Sequence, residues 1–300
     1  MSREAPGSAG VTQDRRRGRG VRIYLILVAV GVLVVVPGSY FIGRAVGDSD
    51  AGSAWPVVGA DLHAVSDIEG TIFVSGHTAS AARAPDGRWR PIASLNGIDA
   101  MAWTQTPQGI LVAGHQGVFS SVDGGSSFTR SNLNLPATDV HAIGASGQTL
   151  YLASPTAGLF GSQDAGNTFR RISGDTAFMG SIAVDPRDPR WAIAADINLG
   201  AVMTTDGGRT WRRLNSPGRA VAVAWNPRNR RDIALATATG VSRSLDGGAH
   251  WAPSRPVQEP ATVGFTPAGQ LLIGVWAQGQ ARVYRDARSA GRLPVDEPTR

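Results

Sequence analysis

The stretch at 121–128 reads SVDGGSSF, and three close copies of it follow along the chain. The copies are SQDAGNTF at 162–169, TTDGGRTW at 204–211 and SLDGGAHW at 244–251. Each begins with Ser or Thr, has Asp two residues later, continues with two small residues and ends in an aromatic residue. Their aspartates lie about forty residues apart, the usual length of one unit in a propeller-type repeat. These four repeat phrases predict a single architecture built from a repeated unit.

Two weaker copies extend the series on either side, as APDGRW at 84–89 and YRD at 284–286. The phrases predict a structural role for six aspartates: Asp86, Asp123, Asp164, Asp206, Asp246 and Asp286. Asp-Gly-Gly supplies the positive φ angles of a tight hairpin, and its carboxylate can accept hydrogen bonds from the amides of the turn. The Ser or Thr two residues earlier can join that network. We expect the closing aromatic residue to be buried between neighbouring units.

One repeat resolves into short strands separated by glycine-rich turns. In the second repeat the pattern predicts strands at 99–103, 109–114 and 118–122, with a fourth beginning at 127. A single four-stranded sheet would expose both faces to water, whereas stacking such sheets around an axis buries them. The sequence therefore predicts an all-β fold, a six-bladed β-propeller of four-stranded antiparallel blades over 55–295, followed by a tail at 296–300. Seven blades are the alternative, because the outer copies are weak.

The repeat phrases resemble the Asp-box, or BNR, repeat of sialidases, sortilin-like receptors and photosystem-assembly propellers. The resemblance covers about 55–295 and extends to bacterial proteins described as glycosyl-hydrolase-like. It implies the propeller fold and says little about function, since unrelated activities occur on the same fold.

The N-terminal region predicts a membrane anchor. Residues 23–42 carry no charge and are long enough to cross a hydrocarbon core of roughly 30 Å as one helix. The arginine-rich segment 1–22 precedes it and should stay cytoplasmic, which places the propeller outside the cell membrane after a flexible linker at 43–54. The alternative is a cleaved signal peptide with its cleavage site near 43–45, which would leave a secreted propeller.

Composition excludes several kinds of chemistry. The chain has no cysteine and no lysine, so disulfides, thiolate metal sites, Schiff-base lysines and phosphate-loop lysines are all excluded. Of the net charge of +6, residues 1–22 contribute six arginines minus two acidic residues, or +4, which leaves +2 for the rest. The predicted propeller therefore lacks the basic surface of a nucleic-acid-binding protein.

The sialidase resemblance implies a catalytic set of three arginines, an aspartate acid/base and a tyrosine paired with a glutamate. The only glutamates are at positions 4, 69, 259 and 297, and none is placed to pair with Tyr151 or Tyr284. We therefore predict no catalytic residues and no cofactor. An exo-acting glycoside hydrolase is the alternative.

A candidate binding face follows from aligning the repeats. First-strand starts and the loops between second and third strands lie at the same end of a four-stranded unit. The alignment places at that end His63, His77, Asp99, His115, His141, Asp196, Asn198 and Trp276. We expect no metal, because the histidines lack short ligand spacings, and the plainer interpretation is that His63 and His141 bond to backbone carbonyls. The predicted function is non-catalytic binding or assembly with a protein or glycan of the cell envelope; a purely structural envelope protein is a further alternative.

Overall fold

The computed structural model describes residues 55–131, 134–135, 137–174, 176–255 and 261–286. All of them belong to the second of two compact units of the chain, Asp48–Arg300. The predicted segments 1–22, 23–42, 43–54 and 296–300 lie outside the described residues. Within the described ranges, none of the helical segments has the length and apolar character needed to span a bilayer.

The described residues form β-strands with a single 3₁₀ turn, Ala93–Leu95, which confirms the all-β prediction. Six sheet units follow one another along these residues. The first two are β1 (Leu62–Ile68), β2 (Thr71–Gly76), β3 (Ser80–Arg83) and β4 (Trp89–Pro91), then β5 (Ala100–Thr106), β6 (Gly109–Gly114), β7 (Gly117–Ser121) and β8 (Thr129–Arg130). The next two are β9 (Ala142–Ser146), β10 (Thr149–Ser154), β11 (Gly158–Ser162) and β12 (Arg170–Ser173), then β13 (Phe178–Val184), β14 (Ala192–Asp196), β15 (Gly200–Thr204) and β16 (Arg212–Arg213). The last two are β17 (Ala222–Trp225), β18 (Ile233–Thr237), β19 (Gly240–Ser244) and β20 (Ala252–Arg255), then β21 (Ala261–Phe265), β22 (Leu271–Ala277) and β23 (Gln280–Asp286).

Every unit is an antiparallel meander, and the first strands of successive units pack against one another. A short parallel pairing joins β9 to β13, so that the third and fourth units share a continuous sheet. The series of first-strand contacts runs β1, β5, β9, β13, β17, β21 and returns from β21 to β1. The sixth unit has three strands among the described residues, and the segment before β1 pairs with β23 through a bridge between Val57 and Gln280.

The core lies between neighbouring units, where aliphatic and aromatic side chains of adjacent sheets meet. Trp103 of the second unit stacks on Phe73 of the first at 4.9 Å between ring centroids and meets Phe128 edge-on at 5.5 Å. Its indole nitrogen donates to Ser75 Oγ at 2.8 Å, so its polar atom is satisfied. Phe128 closes the first repeat phrase and is buried, as the sequence predicted. The closing residues Phe169, Trp211 and Trp251 are only partly buried, though each packs against a core cluster.

The four repeat phrases share one hydrogen-bond network. Ser121 Oγ donates to Asp123 Oδ1 at 2.6 Å and accepts from the Gly125 amide at 2.8 Å. The amide and hydroxyl of Ser127 donate to the two carboxylate oxygens of Asp123 at 3.0 and 2.6 Å. The same contacts recur around Asp164, Asp206 and Asp246, with His250 in place of the second hydroxyl residue at the last. The predicted turn network is therefore present in all four phrases.

The two weaker copies make different contacts. Asp86 accepts from the Arg88 amide and pairs with Arg90 across one turn. Asp286 reaches the neighbouring unit, where it accepts from Arg243 at 3.2 Å and from the Ser254 hydroxyl at 3.4 Å. A local turn role suits Asp86, whereas Asp286 links two units.

The phrase carboxylates predict acid sensitivity. Hydrogen bonds from Ser162 and Thr168 lower the pKa of Asp164 to about 2, and those from Thr210 lower the pKa of Asp206 to about 2. Because the folded pKa lies below the unfolded value of about 3.9, this stabilisation is present above about pH 4 and is lost as pH falls toward about 2. We expect the stability advantage of the wild type over an Asp164→Asn/Asp206→Asn variant, measured by urea unfolding, to shrink across that window. An advantage independent of pH would contradict the assignment.

Candidate functional site

The strand register brings three aspartates into equivalent positions. Three alanines pair with the second-to-last residue of the following strand in their unit. The pairs are Ala64 with Ser75 of β2, Ala102 with Ala113 of β6 and Ala142 with Ala153 of β10. Asp61, Asp99 and Asp139 each lie three residues before those alanines. Aligning the repeats by sequence matches Asp99 with His63 and His141, but the register shows that its counterparts are the aspartates two residues before these histidines. β1 and β5 carry the same bulge just before these alanines.

Two glycines let the aspartates and histidines approach closely. Gly76 and Gly114 end β2 and β6, and His77 and His115 follow them directly. A Cβ atom at Gly114 would lie 1.8 Å from the backbone oxygen of Asp99, and one at Gly76 would lie 2.1 Å from that of Asp61. Only glycine fits at these places, so each histidine is held beside the aspartate of its own unit.

The first half of the site is formed by the first unit and Asp99. His63 Nε2 lies 2.9 Å from Asp61 Oδ2, and His63 Nδ1 lies 3.0 Å from Asp99 Oδ1. His77 Nδ1 lies 3.2 Å from Asp99 Oδ2 and 3.9 Å from Asp61 Oδ1. The two imidazoles are thus held between two carboxylates from adjacent units.

The second half involves the second and third units. Asp139 Oδ1 lies 2.8 Å from His115 Nδ1 and 3.2 Å from His141 Nε2. The two imidazole rings meet edge to face, with centroids 4.6 Å apart. His115 Nε2 also lies 3.6 Å from Asp99 Oδ2, which connects the two halves. The combined group is named here the His/Asp cluster and consists of Asp61, His63, His77, Asp99, His115, Asp139 and His141.

The cluster has a buried floor and an open rim. The side chain of Asp99 is 10% exposed and that of His63 is 14% exposed, whereas His77 is 55% exposed. Asp99 Oδ1, His63 Nδ1 and His141 Nε2 are buried yet have no well-aligned hydrogen bond. The short distances between these atoms are therefore ionic contacts of poor hydrogen-bond geometry, and the polar atoms at the floor are incompletely satisfied.

The carboxylates act differently on the two buried histidines. Burial disfavours the charged form of His63, but the contacts with Asp61 and Asp99 outweigh it and raise the pKa of His63 to about 9. Burial likewise opposes ionisation of Asp61, and its hydrogen bond with His63 leaves the pKa of Asp61 below its usual value. At His141 burial wins over the attraction of Asp139, so the pKa of His141 is lowered. Burial and the neighbouring carboxylates therefore move the pKa values of these two histidines in opposite directions.

The remaining predicted residues make other contacts. Asp196 Oδ1 accepts from the amides of Asn198 and Leu199 at 2.8 and 2.9 Å, which closes the turn between β14 and β15. The indole nitrogen of Trp276 donates to the Gly59 carbonyl at 2.9 Å, and its ring packs on the core of the first unit. Sequence reasoning missed Asp61 and Asp139. The signal that could have found them is the repeated Asp-x-His at 61–63 and 139–141.

Comparison with known proteins identifies the fold. No family model and no curated protein matches the chain. A GH74 xyloglucanase from Xanthomonas campestris has a similar structure, with a TM-score of 0.55 at 15% identity over 81% of this chain and 46% of its own. The GH74 enzyme from Niastella koreensis has a TM-score of 0.54 at 12% identity, over 81% of this chain and 54% of its own. The WD40 repeats of RRP9 have a TM-score of 0.52 at 9% identity, over 81% of this chain and 83% of their own.

The chain spans about half the length of the two GH74 enzymes. At these identities the likeness shows the fold alone, a β-propeller.

Proposed function

We propose that the chain is a non-catalytic binding module of the cell envelope that contacts a protein or glycan through the His/Asp cluster. In this proposal the six sheet units are the blades of one propeller with Asp-box (BNR) hairpins. The bridge between Val57 and Gln280 supports a ring closed at this point. The uncharged segment 23–42 anchors the propeller on the outer side of the cell membrane, as its flanking arginines suggest.

One observation carries the proposal: side chains from three units converge on one polar patch. His77, His115 and Asp61 are 55%, 43% and 42% exposed and can reach a partner, while Asp99 beneath them is nearly buried. Strand ends hold these groups, so their positions are fixed before a partner arrives. A rigid patch of imidazole and carboxylate groups offers both donors and acceptors to a protein or sugar surface.

The contacts of the described tyrosines and glutamate favour binding over a sialidase-type hydrolysis. The hydroxyl of Tyr151 donates to the Pro189 carbonyl at 2.9 Å, and Tyr284 is buried among the residues of the last two units. Glu69 sits in the turn after β1 and accepts from Gln105 at 2.7 Å. Among the described residues, the tyrosine–glutamate pair implied by the sialidase resemblance is not assembled.

The test is capture of envelope components by the full chain in its own membrane, after crosslinking. We expect a partner that is captured by the wild type and by His250→Ala, but at least tenfold less by His77→Ala/His115→Ala, because only the last variant removes the exposed imidazoles of the patch. His250 is 90% exposed and lies in a repeat phrase, so it is the matched control. Equal capture by all three, or turnover of fluorogenic glycosides by the wild type, would contradict the proposal.

A further inference from the structure

We propose that the His/Asp cluster is a two-ion site for a divalent transition metal of the zinc type, with the carboxylate of Asp99 shared between two three-residue ligand sets. This goes beyond the proposed function, because metal binding can be measured on the purified chain without any partner.

Two ligand sets are already assembled. The first is Asp61, His63 and His77, and in it one ligand atom from each residue lies within 4.8 Å of the others. The second is His115, Asp139 and His141, which meets the same condition. Each set combines two imidazole nitrogens with one carboxylate, a donor combination that holds zinc in proteins and leaves a coordination position for a further ligand.

Asp99 joins the two sets. Its Oδ1 lies 3.0 Å from His63 Nδ1, and its Oδ2 lies 3.2 Å from His77 Nδ1 and 3.6 Å from His115 Nε2. Each half of the cluster is thus in contact with the same carboxylate. A shared carboxylate would supply a fourth ligand to both ions and hold them at a fixed separation.

The unsatisfied atoms at the floor of the cluster are a second, independent observation. The Asp99 side chain is nine-tenths buried, and its Oδ1 has no well-aligned hydrogen bond. His63 Nδ1 and His141 Nε2, which are potential ligand atoms, are in the same condition. A buried carboxylate without good hydrogen bonds is costly, and a bound cation would satisfy it. The protein therefore holds at this place polar atoms that a metal ion would complete.

The donor set selects the metal. Four imidazoles favour zinc, nickel or cobalt over magnesium and calcium, which prefer all-oxygen ligands. The chain has no cysteine, so thiolates cannot compete for the metal elsewhere. His250, the fifth histidine, lies in a repeat phrase with Asp246 as its carboxylate neighbour. It belongs to neither ligand set and serves as a control.

The test is calorimetric titration of the full chain with zinc chloride, after removal of metal and without a histidine tag. We expect two zinc ions per chain and, at a hundredfold excess over the Kd of both sites, a rise in Tm of roughly 10–20 °C. His77→Gln should remove one ion and His141→Gln the other, since each deletes a ligand of a different set. Asp99→Asn should raise the Kd of both zinc ions by roughly tenfold or more. His250→Gln should keep both.

Several outcomes would overturn the proposal. The first is a stoichiometry other than two zinc ions per chain. The second is an Asp99→Asn variant that binds two zinc ions as tightly as the wild type. The third is calcium binding as tight as zinc binding. X-ray absorption at the zinc edge of the wild type gives a test that does not depend on variants folding. Imidazole ligands at about 2.0–2.1 Å are expected, and a shell of oxygen ligands alone would contradict the site.

Discussion

Arg243→Ala is expected to lower the free energy of unfolding by about 3–5 kcal/mol, because it leaves a buried carboxylate without its cation. Asp232 is completely buried. Arg243 binds it with two hydrogen bonds, from Nε at 2.7 Å and from Nη2 at 2.8 Å. The same guanidinium donates to Asp286 of the sixth unit and lies 5.5 Å from the ring of Phe265. One side chain thus joins the fifth and sixth units.

The measurement is urea unfolding at neutral pH, and the matched control is Arg190→Ala. Arg190 also pairs with an aspartate, Asp188 at 2.8 Å, but its side chain is 72% exposed. Solvent screens an exposed pair and its contribution to stability is small, so the control should change little. The Arg243 variant should lose roughly 6–20 °C in Tm for a domain of this size. Equal small losses in both variants would show that the buried pair does not hold these units together.

Gly114→Ala is expected to destabilise the fold by about 1–3 kcal/mol and to disrupt the His/Asp cluster. The added Cβ would lie 1.8 Å from the carbonyl oxygen of Asp99 and 2.9 Å from its carbon. These are backbone atoms of the residue just before β5, so the start of that strand must move away from β6. This movement displaces Asp99. It also displaces His115, because His115 directly follows Gly114.

The control for this prediction is Gly174→Ala. Gly174 lies after β12, has no atom within 4 Å of the position its Cβ would take, and does not have a positive φ angle. It should change the unfolding free energy by no more than about 0.5 kcal/mol. Zinc titration of both variants distinguishes an effect on the site from an effect on stability. Gly174→Ala should bind zinc like the wild type, and Gly114→Ala should bind it more weakly. Wild-type stability and binding in Gly114→Ala would contradict the close packing described at this position.

The fold could be predicted from the repeat phrases because each contains its own physical cause. Ser or Thr, Asp and two small residues close a hairpin with local contacts only, and the structure shows that closure at Asp123, Asp164, Asp206 and Asp246. Asp286 shows the limit of this reasoning. Its partner is Arg243, forty-three residues earlier, and no local pattern indicates that pairing.

The candidate site could be predicted in part for a similar reason. Repeat alignment places a residue at one end of its unit, which was enough to bring together His63, His77, His115 and His141. It does not reveal which side chains cross to the next unit. Asp196 ends β14 and Trp276 lies near the end of β22, but they bond to the turn after β14 and to Gly59. Asp61 and Asp139 were missed because the alignment matched Asp99 with His63 and His141 instead of with the aspartates two residues before them. The segment 23–42 stays a prediction from sequence.

The central claim is that Asp99 and four histidines from three sheet units form one site. The most direct test is a crystal structure of the protein grown with zinc, with diffraction data collected on both sides of the zinc absorption edge. We predict anomalous density in two places, between Asp61, His63 and His77 and between His115, Asp139 and His141, with the Asp99 carboxylate between them. Histidines lying on separate surfaces, or an intact cluster without anomalous density, would contradict the account.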